Sequence, residues 1–277
     1  MVSVVEYAYE LPGKQPVEGH SDIKSIPADN NMSLLDMILE CYSKFNIKPE
    51  MVLVAHSLPF CLGKNKEILE KELKVPVVYL SGIPCAITHM ALKIAAGQIN
   101  DGIFKRILVL GADKAYSDNE RFFFGTAMGD AVIGMMLTDG PGVFEMLGGY
   151  VDTFLYATDG EKSLADDIQK YRDTLPSLML AAYRKCLQEC FLEKVDYIAP
   201  HTSSKGIWDL FSKVAGIDRK RILDEDITFT GHLNSNDSFL HYFTHIEREL
   251  IEIGTDTMMI NPGFGGTRGM TVFRRCC

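Results

Sequence analysis

The fold of this chain is indicated by residues 33–57, SLLDMILECYSKFNIKPEMVLVAHS. Apolar residues recur at helical spacing up to Phe45, a short basic turn follows, and the apolar run Met51–Ala55 ends at His56. A continuous apolar run of this length is typical of a strand buried on both faces of its sheet. The stretch therefore predicts a helix, a buried strand and a polar side chain at the strand's end.

The same unit occurs a second time further along the chain. Residues 178–202, LMLAAYRKCLQECFLEKVDYIAPHT, predict a helix, a turn and a strand that ends at His201. Residues 81–99 and 230–248 then each begin with a glycine-containing turn and continue as a helix. Three matched segments in the same order predict a duplicated half-domain. We place the halves at 1–140 and 141–277, within one compact unit.

Helical and strand patterns alternate along the rest of the chain, which is typical of an α/β protein with helices on both faces of its sheets. Hydrophobic residues make up 47 % and charged residues 23 % of the 277 residues, and the mean hydropathy is +0.03. No apolar run reaches the roughly 18–20 residues of a membrane span. The net charge of −9 argues against nucleic acid as the main partner.

The seven cysteines indicate a reducing environment. Their number is odd, they form no CxxC pair, and the first residues, MVSVVEYAYELPGKQ, lack the pattern of a secretion signal. We therefore expect reduced thiols in a cytoplasmic protein.

Cys85 is the first candidate for chemistry. It lies in Gly82-Ile83-Pro84-Cys85-Ala86, directly before a helix that is apolar nearly all round. Free backbone N–H groups and the positive dipole end of such a helix favour the thiolate form of a cysteine. The alternative is a cysteine that only fills space in the core.

His201 is the second candidate, because it follows the apolar strand in Ala199-Pro200-His201-Thr202. Sites of α/β proteins lie at strand ends, and an imidazole there can donate a hydrogen bond or act as a base. The alternative is a histidine that only packs at the end of the strand.

Two polar, glycine-containing segments complete the set of candidates. Residues 231–237, GHLNSND, precede a helix, so that one of their polar side chains would cap it. Residues 261–269, NPGFGGTRG, form a glycine-dense turn that could present backbone N–H groups to an oxyanion, or could be a plain hairpin. His241 and His245 have metal-ligand spacing but no third ligand nearby, and we predict no metal site.

Taken together, the ordered motifs resemble the thiolase fold and, within it, the β-ketoacyl-acyl-carrier-protein synthase III (KAS III) branch. Cys85 occupies the position of the family's nucleophilic cysteine, and 199–201 matches its PH motif. Residues 124–137, FGTAMGDAVIGMML, resemble its FGDGAGAAVL segment, and 261–269 matches its terminal glycine-rich turn. The resemblance implies two duplicated βαβαβαββ halves in a layered α-β-α-β-α sandwich.

The resemblance also implies an acyltransferase with an acyl-enzyme intermediate. Cys85 would attack an acyl thioester, and the backbone N–H groups of Cys85 and Gly266 would form the oxyanion hole. His201 would assist the second half-reaction. No cofactor is implied beyond the acyl-CoA or phosphopantetheine-carrier thioester that serves as substrate.

The third member of the triad has two candidates. An ungapped comparison puts the family's asparagine at Asn234, whereas Gly231, His232 and Asp237 resemble the branch that has aspartate instead. A neutral His/Asn pair suits decarboxylative Claisen condensation with a malonyl thioester. A His/Asp pair makes His201 a stronger base, which suits acyl transfer to oxygen or nitrogen.

The chain is short where the family clasps coenzyme A. Only about twenty residues separate Pro12 from Ser33, and the sole tryptophan is Trp208. A carrier-protein donor and a role in specialised metabolism are therefore favoured. The alternatives are a catalytically silent subunit of a heterodimeric synthase, and a thioester hydrolase. We expect a homodimer, or a heterodimer with another ketosynthase-like chain, because an unpaired edge strand is a liability.

Overall fold

The computed structural model describes residues 1–58, 63–115, 117–123, 126–153, 165–202, 205–263 and 266–277. The strands of the described residues are β1 (Val2–Glu10), β2 (Lys14–Pro16), β3 (Ser25–Pro27), β4 (Met51–Ala55), β5 (Val77–Leu80), β6 (Arg106–Asp113), β7 (Phe122–Phe123), β8 (Thr126–Ala127), β9 (Ala131–Asp139), β10 (Phe144–Thr153), β11 (Tyr197–Pro200), β12 (Asp256–Gly263) and β13 (Thr267–Arg275). The helices are α1 (Leu34–Ser43), α2 (Gly63–Leu73), α3 (Ile87–Asn100), α4 (Ala165–Glu189), α5 (Lys205–Ala215), α6 (Ile227–Thr230) and α7 (Asp237–Glu247).

The helix–strand unit of residues 33–57 forms as its sequence predicts. Ser33 caps α1 through a capping box, in which its side chain accepts from the Asp36 N–H and the Asp36 carboxylate accepts from the Ser33 N–H. All five residues of β4 are buried, as expected for a strand covered on both faces. β4 pairs in parallel with both β5 and β6, so His56 lies at the carboxyl edge of this part of the sheet.

Nine strands form one hydrogen-bonded sheet in the order β11-β12-β13-β10-β1-β9-β6-β4-β5. The two sides of this sheet are joined in its middle at β1 and β10, which pair antiparallel over a short register from Ser3 to Val4. On one side the order is β1-β9-β6-β4-β5, and on the other it is β10-β13-β12-β11. Ile222 adds a parallel bridge to Ile198 at the outer side of β11, in the position that β5 takes beside β4.

The strands are arranged in a similar order on the two sides of the sheet. On each side the first strand pairs with the last, and the second strand lies near the outer edge. The turn at 140–143 connects β9 to β10 between the two sides. The division at 140/141 stays a prediction, and a duplicated half-domain would produce this arrangement.

Helices α3 and α7 lie in the middle layer, between the two sides of the sheet. Their buried side chains share one core cluster with both sides. Members of this cluster include Ala91, Leu92 and Ala95 of α3, Phe239, Leu240 and Phe243 of α7, Leu53 and Val109 of one side, and Met259 and Phe273 of the other. Helix α1 packs on the outer face of the β4 side, and α4 and α5 pack on the outer face of the β12 side. The result is the predicted layered sandwich, with the starts of α3 and α7 brought together.

No helix within the described parts of the chain has the length and apolar character needed to cross a membrane.

Candidate active site

Cys85 lies at the start of the central helix α3, with an unusual backbone conformation. Its φ is +59°, in the left-handed region that residues with a Cβ seldom adopt. Its side chain is buried, and α3 begins two residues later at Ile87. A strained turn of this kind is a feature of residues that a fold holds in place for chemistry.

His232 is the imidazole that faces the thiol. The Cys85 Sγ and the His232 Nε2 are 3.9 Å apart. On the other side of the ring, the His232 Nδ1 lies 2.7 Å from the Asp237 Oδ2. All three side chains are buried, so that sulfur, imidazole and carboxylate form a chain in which Asp237 fixes the direction of the ring.

Asp237 is positioned by the turn that carries His232 and by the end of β11. Its Oδ1 accepts from the Leu233 N–H at 2.6 Å, and its Oδ2 accepts from the Thr202 N–H at 3.0 Å. Residue 237 is also the first residue of α7, where the helix dipole favours a negative charge. The side-chain cap predicted for 231–237 is not formed, because the N-cap residue is Asn236 and its side chain makes no capping hydrogen bond. The Asp237 carboxylate serves the histidine instead.

His201 lies beside this chain at the end of β11. Its ring centroid is 4.5 Å from that of His232, and its Nε2 is 3.6 Å from the Asp237 Oδ2. The indole N–H of the fully buried Trp208 donates to the His201 carbonyl at 2.7 Å. The single tryptophan therefore anchors the backbone of a site residue.

The surroundings of the two histidines shift their pKa values in opposite directions. Burial alone would lower the pKa of His232, but the charge and hydrogen bond of Asp237 and the contact with Cys85 raise it to about 10. Burial, together with the nearby charge of His232, lowers the pKa of His201 to about 3. Burial tends to raise the pKa of Asp237, but the His232 charge and hydrogen bond hold it well below its usual range. At neutral pH, His232 therefore carries a proton that His201 lacks.

The glycine-rich turn packs against the residue before Cys85. The Thr267 hydroxyl donates to the Pro84 carbonyl at 2.7 Å. A Cβ on Gly263 would lie 2.0 Å from the same carbonyl oxygen, so that only glycine permits this approach. Gly266, with a φ of +79°, is thereby brought to the segment that carries Cys85. Phe264 and Gly265 lie outside the described residues.

The similarity of this chain to known proteins was found by comparison of structures. No family model and no curated protein matches the sequence. Among solved structures, 3-oxoacyl-[acyl-carrier-protein] synthase III from Aquifex aeolicus superposes with a TM-score of 0.80 at 17 % identity, over 99 % of this chain and 100 % of that chain. The chain has the thiolase fold.

Two further thiolase-fold structures extend the comparison. The acyltransferase ChlB3 gives a TM-score of 0.82 at 16 % identity, over 99 % of this chain and 98 % of that chain. The priming β-ketosynthase of the R1128 polyketide pathway gives 0.78 at 16 % identity, over 100 % of this chain and 96 % of that chain. The resemblance to KAS III enzymes inferred from the ordered motifs is confirmed at the level of the fold.

The thiolase fold brings together Cys85, His201 and Asp237, whereas no hydrogen bond within the described part of the chain joins Asn234 to that group. Asn234 begins a 3₁₀ turn with a φ of +57°. Its side-chain N–H group is buried and has no hydrogen-bond partner within the described residues. Of the two predicted third members, Asp237 is therefore the one in contact with both histidines.

His232 is the site residue that the sequence analysis did not assign. It was named only with Gly231 and Asp237, in the pattern that resembles the aspartate branch, and was given no role of its own. Its spacing of five residues from Asp237 was the available signal, but that spacing does not reveal that the ring turns toward Cys85. The contact joins residues 147 positions apart and depends on how α3 and α7 meet in the middle layer.

Cys85, His201 and His232 are also a group that could hold a metal ion. One donor atom from each lies within 4.8 Å of the others, and all three residues are buried. Cysteine and histidine are the ligand types of zinc sites. The absence of a resident metal stays a prediction, and the same three groups suit a nucleophile with two imidazoles.

Proposed function

We propose that this protein is an acyltransferase that carries the acyl group on Cys85. The observation that supports the proposal most directly is the buried chain Cys85 Sγ, His232, Asp237, with separations of 3.9 Å and 2.7 Å. A nucleophile beside a base that is itself oriented by a third group is the arrangement of covalent acyl transfer. The thiolase fold adds support, because the matched structures include synthases and an acyltransferase.

In the first half-reaction, Cys85 as a thiolate beside protonated His232 attacks the carbonyl carbon of an acyl thioester. A new carbon–sulfur bond forms, and the carbonyl π electrons move to the oxygen. The N–H groups of Cys85 and Gly266 stabilise that oxyanion. When the electron pair returns, the bond to the donor's sulfur breaks, and the departing thiolate takes the proton that His232 holds. The products are the acyl-enzyme, the free thiol and a neutral His232.

In the second half-reaction, a hydroxyl or amine acceptor attacks the acyl-enzyme. The neutral His232, oriented by the Asp237 carboxylate, takes the acceptor's proton as the new bond forms. Collapse of the intermediate then breaks the bond to Cys85, and the imidazolium–thiolate pair is restored. The His232–Asp237 hydrogen bond of 2.7 Å supports this oxygen or nitrogen transfer. His201, rather than serving as the main base, is suited to donate a hydrogen bond.

A second candidate reaction is decarboxylative Claisen condensation with a malonyl thioester. It is favoured by the two imidazoles, whose ring centroids are 4.5 Å apart. Once the acyl-enzyme has formed, a neutral His201 can donate a hydrogen bond to the oxygen of the enolate that decarboxylation leaves, while neutral His232 keeps its one N–H on Nδ1 for Asp237. Product analysis with malonyl and with alcohol or amine acceptors separates the two reactions.

The acyl donor is proposed to be a carrier-protein thioester or acyl-CoA. A matched structure from Xanthomonas campestris, OleA, contains lauric acid and lauroyl-CoA, and others are 3-oxoacyl-(acyl-carrier-protein) synthases by name. Residues 13–32 contain only the short strands β2 and β3. This short connection favours a carrier protein over coenzyme A.

Intact-protein mass spectrometry with a panel of acyl-CoA and acyl-carrier thioesters tests the proposal. We expect a mass gain of one acyl group that is absent in Cys85→Ala. Thioesters also react with exposed thiols, and Cys276 and Cys277 are exposed. The double variant Cys276→Ala/Cys277→Ala is therefore the matched control and should keep the adduct.

Three other outcomes would redirect the proposal. An adduct that persists in Cys85→Ala would contradict the mechanism. No adduct with any donor would favour the catalytically silent subunit. Release of free acid without transfer to any acceptor would favour the thioester hydrolase.

A further inference from the structure

The backbone N–H of Cys85 already has a partner in the described structure. It donates to the Ser57 hydroxyl oxygen at 3.1 Å. The proposed mechanism requires the same N–H to stabilise the oxyanion. Ser57 therefore lies where the acyl oxygen must arrive, and its hydroxyl has a hydrogen of its own to donate.

Ser57 is held by a buried carboxylate. It lies two residues beyond the end of β4, and its N–H donates to the Asp113 Oδ1 at 2.7 Å. The Leu58 N–H donates to the same oxygen at 2.9 Å. Asp113 is the last residue of β6 and is buried. The segment that carries Ser57 is thus tied to the carboxyl edge of the sheet.

The same carboxylate connects Ser57 to the other site segments. The Ser235 hydroxyl, in the turn that carries His232, donates to the Asp113 Oδ2 at 3.2 Å. The Thr88 hydroxyl, three residues after Cys85, donates to Ser235 at 2.8 Å. Asp113 therefore fixes Ser57 relative to both the nucleophile and its histidine. Asp113 thus holds the backbone of Ser57, so that only the side chain has to turn when charge develops beside it.

We propose that the Ser57 hydroxyl is a further catalytic group, which donates to the acyl oxygen as the tetrahedral intermediate forms. Because the Cys85 N–H points at the Ser57 oxygen, the Ser57 hydroxyl turns about its Cα–Cβ bond to admit the acyl oxygen, which then lies about 3 Å from both the Cys85 nitrogen and the Ser57 oxygen, within donor range of both. Before substrate binds, the Ser57 hydroxyl oxygen accepts the hydrogen bond of the Cys85 N–H. When substrate is bound, the negative oxygen is the stronger acceptor, so that it takes the N–H from Ser57 and receives the hydroxyl hydrogen as well.

No proton leaves Ser57 in this step. The bond from Cys85 to the carbonyl carbon forms, the π pair moves to oxygen, and the bond to the donor's sulfur breaks when the pair returns. His232 supplies the proton to the departing thiolate. Ser57 contributes one hydrogen bond that is strongest in the intermediate, and this is the kind of interaction that accelerates a reaction. The inference rests on the proposed acyl transfer.

The alternative role for Ser57 is steric, as a side chain that merely fills the oxyanion position until substrate displaces it. The two roles predict opposite effects of Ser57→Ala on the rate of Cys85 acylation. Loss of a donor slows acylation, by about 10²-fold or more where oxyanion donors have been removed from other enzymes. Loss of a competitor leaves the rate unchanged or raises it.

The experiment measures the rate of acyl-enzyme formation by quenched mass spectrometry, with the thioester that acylates the wild type best. We expect about a 10²-fold fall in Ser57→Ala. Ser57→Thr keeps the hydroxyl and should stay within about tenfold of the wild type. Ser212→Ala is the matched control, because Ser212 lies on α5 and its hydroxyl donates to the Asp209 carbonyl.

Alkylation of Cys85 by iodoacetamide supplies the second readout. This reaction needs the nucleophile but forms no oxyanion, so Ser57→Ala should alkylate at the wild-type rate. A parallel fall in both rates would mean that Ser57 only positions Cys85, and would overturn the inference. Acylation of Ser57→Ala at or above the wild-type rate would overturn it too.

A replacement variant and the wild-type result distinguish the remaining outcomes. If Ser57→Ala does not fold, Ser57→Cys replaces it, because a thiol is a weaker donor of similar shape. An intermediate fall in acylation supports the inference, and an unchanged rate contradicts it. Failure of the wild type itself to be acylated would contradict the proposed function, and is thereby distinct from failure of the Ser57 role.

Discussion

Asp237 is the residue on which the electrostatics of the site depend. One buried carboxylate lies 2.7 Å from His232 and 3.6 Å from His201. It cannot stabilise a proton equally well on both rings, and the shorter contact decides in favour of His232. Two groups of the same type therefore receive different roles, because their environments move their pKa values apart.

Asp237→Asn tests this role at the scale of the residue. The amide keeps the shape but removes the charge that holds the His232 proton, and it can select the wrong ring tautomer. We expect the acylation rate of Cys85 to fall by at least about 10²-fold, since the equivalent change in a serine triad costs about 10⁴-fold. Quenched mass spectrometry measures that rate.

Asn234→Ala is the comparison for this prediction. Asn234 is near in sequence and was the other candidate, yet its side-chain N–H group is unpartnered within the described residues. Acylation within about threefold of the wild type is expected. If Asn234→Ala slowed acylation severely and Asp237→Asn slowed it only mildly, Asn234 would be the third member of the triad.

His89 makes the fold sensitive to acid. It is buried on α3, where its Nδ1 lies 2.9 Å from the Thr271 hydroxyl oxygen. Burial lowers its pKa to about 3, although the neighbouring Asn261 side chain favours the protonated ring. An unfolded histidine has a pKa of about 6.5, so the unfolded state binds the proton first. The free energy of unfolding should therefore fall as the pH drops from about 6.5 towards 3, by up to about 1.4 kcal/mol per pH unit from this residue.

Denaturant titrations of the wild type and His89→Gln between pH 7 and pH 4 measure this slope. The variant should be less stable at pH 7 but should lose less stability with acid. His201 has a similarly lowered pKa and contributes to the slope in both proteins. Parallel curves for the wild type and the variant would show that His89 is not the source of the difference.

At the scale of elements, the site depends on how closely β12 and its turn approach the start of α3. A Cβ on Gly263 would meet the Pro84 carbonyl oxygen at 2.0 Å and the Thr267 hydroxyl oxygen at 2.3 Å. Tyr171 of α4 also donates to the Gly263 carbonyl at 2.8 Å. The turn is therefore confined between the nucleophile segment and α4.

Gly263→Ala should separate these elements. Because the nearest obstacle is backbone, we expect a loss of about 1–3 kcal/mol in the free energy of unfolding together with slower acylation of Cys85. Gly97→Ala is the control, since Gly97 lies within α3 and has nothing within 4 Å of an added Cβ. It should be stabilising by up to about 1 kcal/mol. Equal stability of the two variants would contradict the close-packing argument.

At the scale of the whole molecule, β5 is an edge strand of the nine-stranded sheet that the described residues form. It is the last strand in the sheet order, and Val78 on it is 41 % exposed. An open edge with an apolar side chain invites pairing with a second chain. We propose that two chains pair through this edge across a two-fold axis.

Val78→Lys tests the association. A charge at a paired edge opposes close approach, so the variant should shift toward the monomer in sedimentation velocity at micromolar concentration. Its thermal unfolding should show that each chain still folds. Ile253→Lys serves as the control, because Ile253 is also apolar and is 64 % exposed but lies away from β5. Unchanged association of Val78→Lys would place the interface elsewhere.

Much of the architecture could be predicted because its signals are local. The α1 cap depends on Ser33 and Asp36, and β4 is continuously apolar because both its faces are covered. The elements of the middle layer were also predictable, since Cys85 and Asp237 each stand at the start of a helix that the pattern places there.

The arrangement of the site was predictable only in part. Cys85, His201 and Asp237 were candidates by position, and the structure brings them together. The contact of His232 with Cys85 was not predictable, because a ring's direction depends on packing across the layer. The hydrogen bond from the Cys85 N–H to Ser57 could likewise not be predicted from the sequence, since it joins the end of β4 to the start of α3.

The amino-acid sequence by itself determined the order of the helices and strands, their buried faces and the polar residues at their ends, because each depends on neighbours along the chain. Only the tertiary structure decided which polar groups share the site. The Asp237 carboxylate lies 2.7 Å from His232 and 3.6 Å from His201, so its charge stabilises a proton more strongly on His232. Distances of that size are set by the packing of α3, α7 and β11, and the strength of an electrostatic interaction in a buried site depends on them.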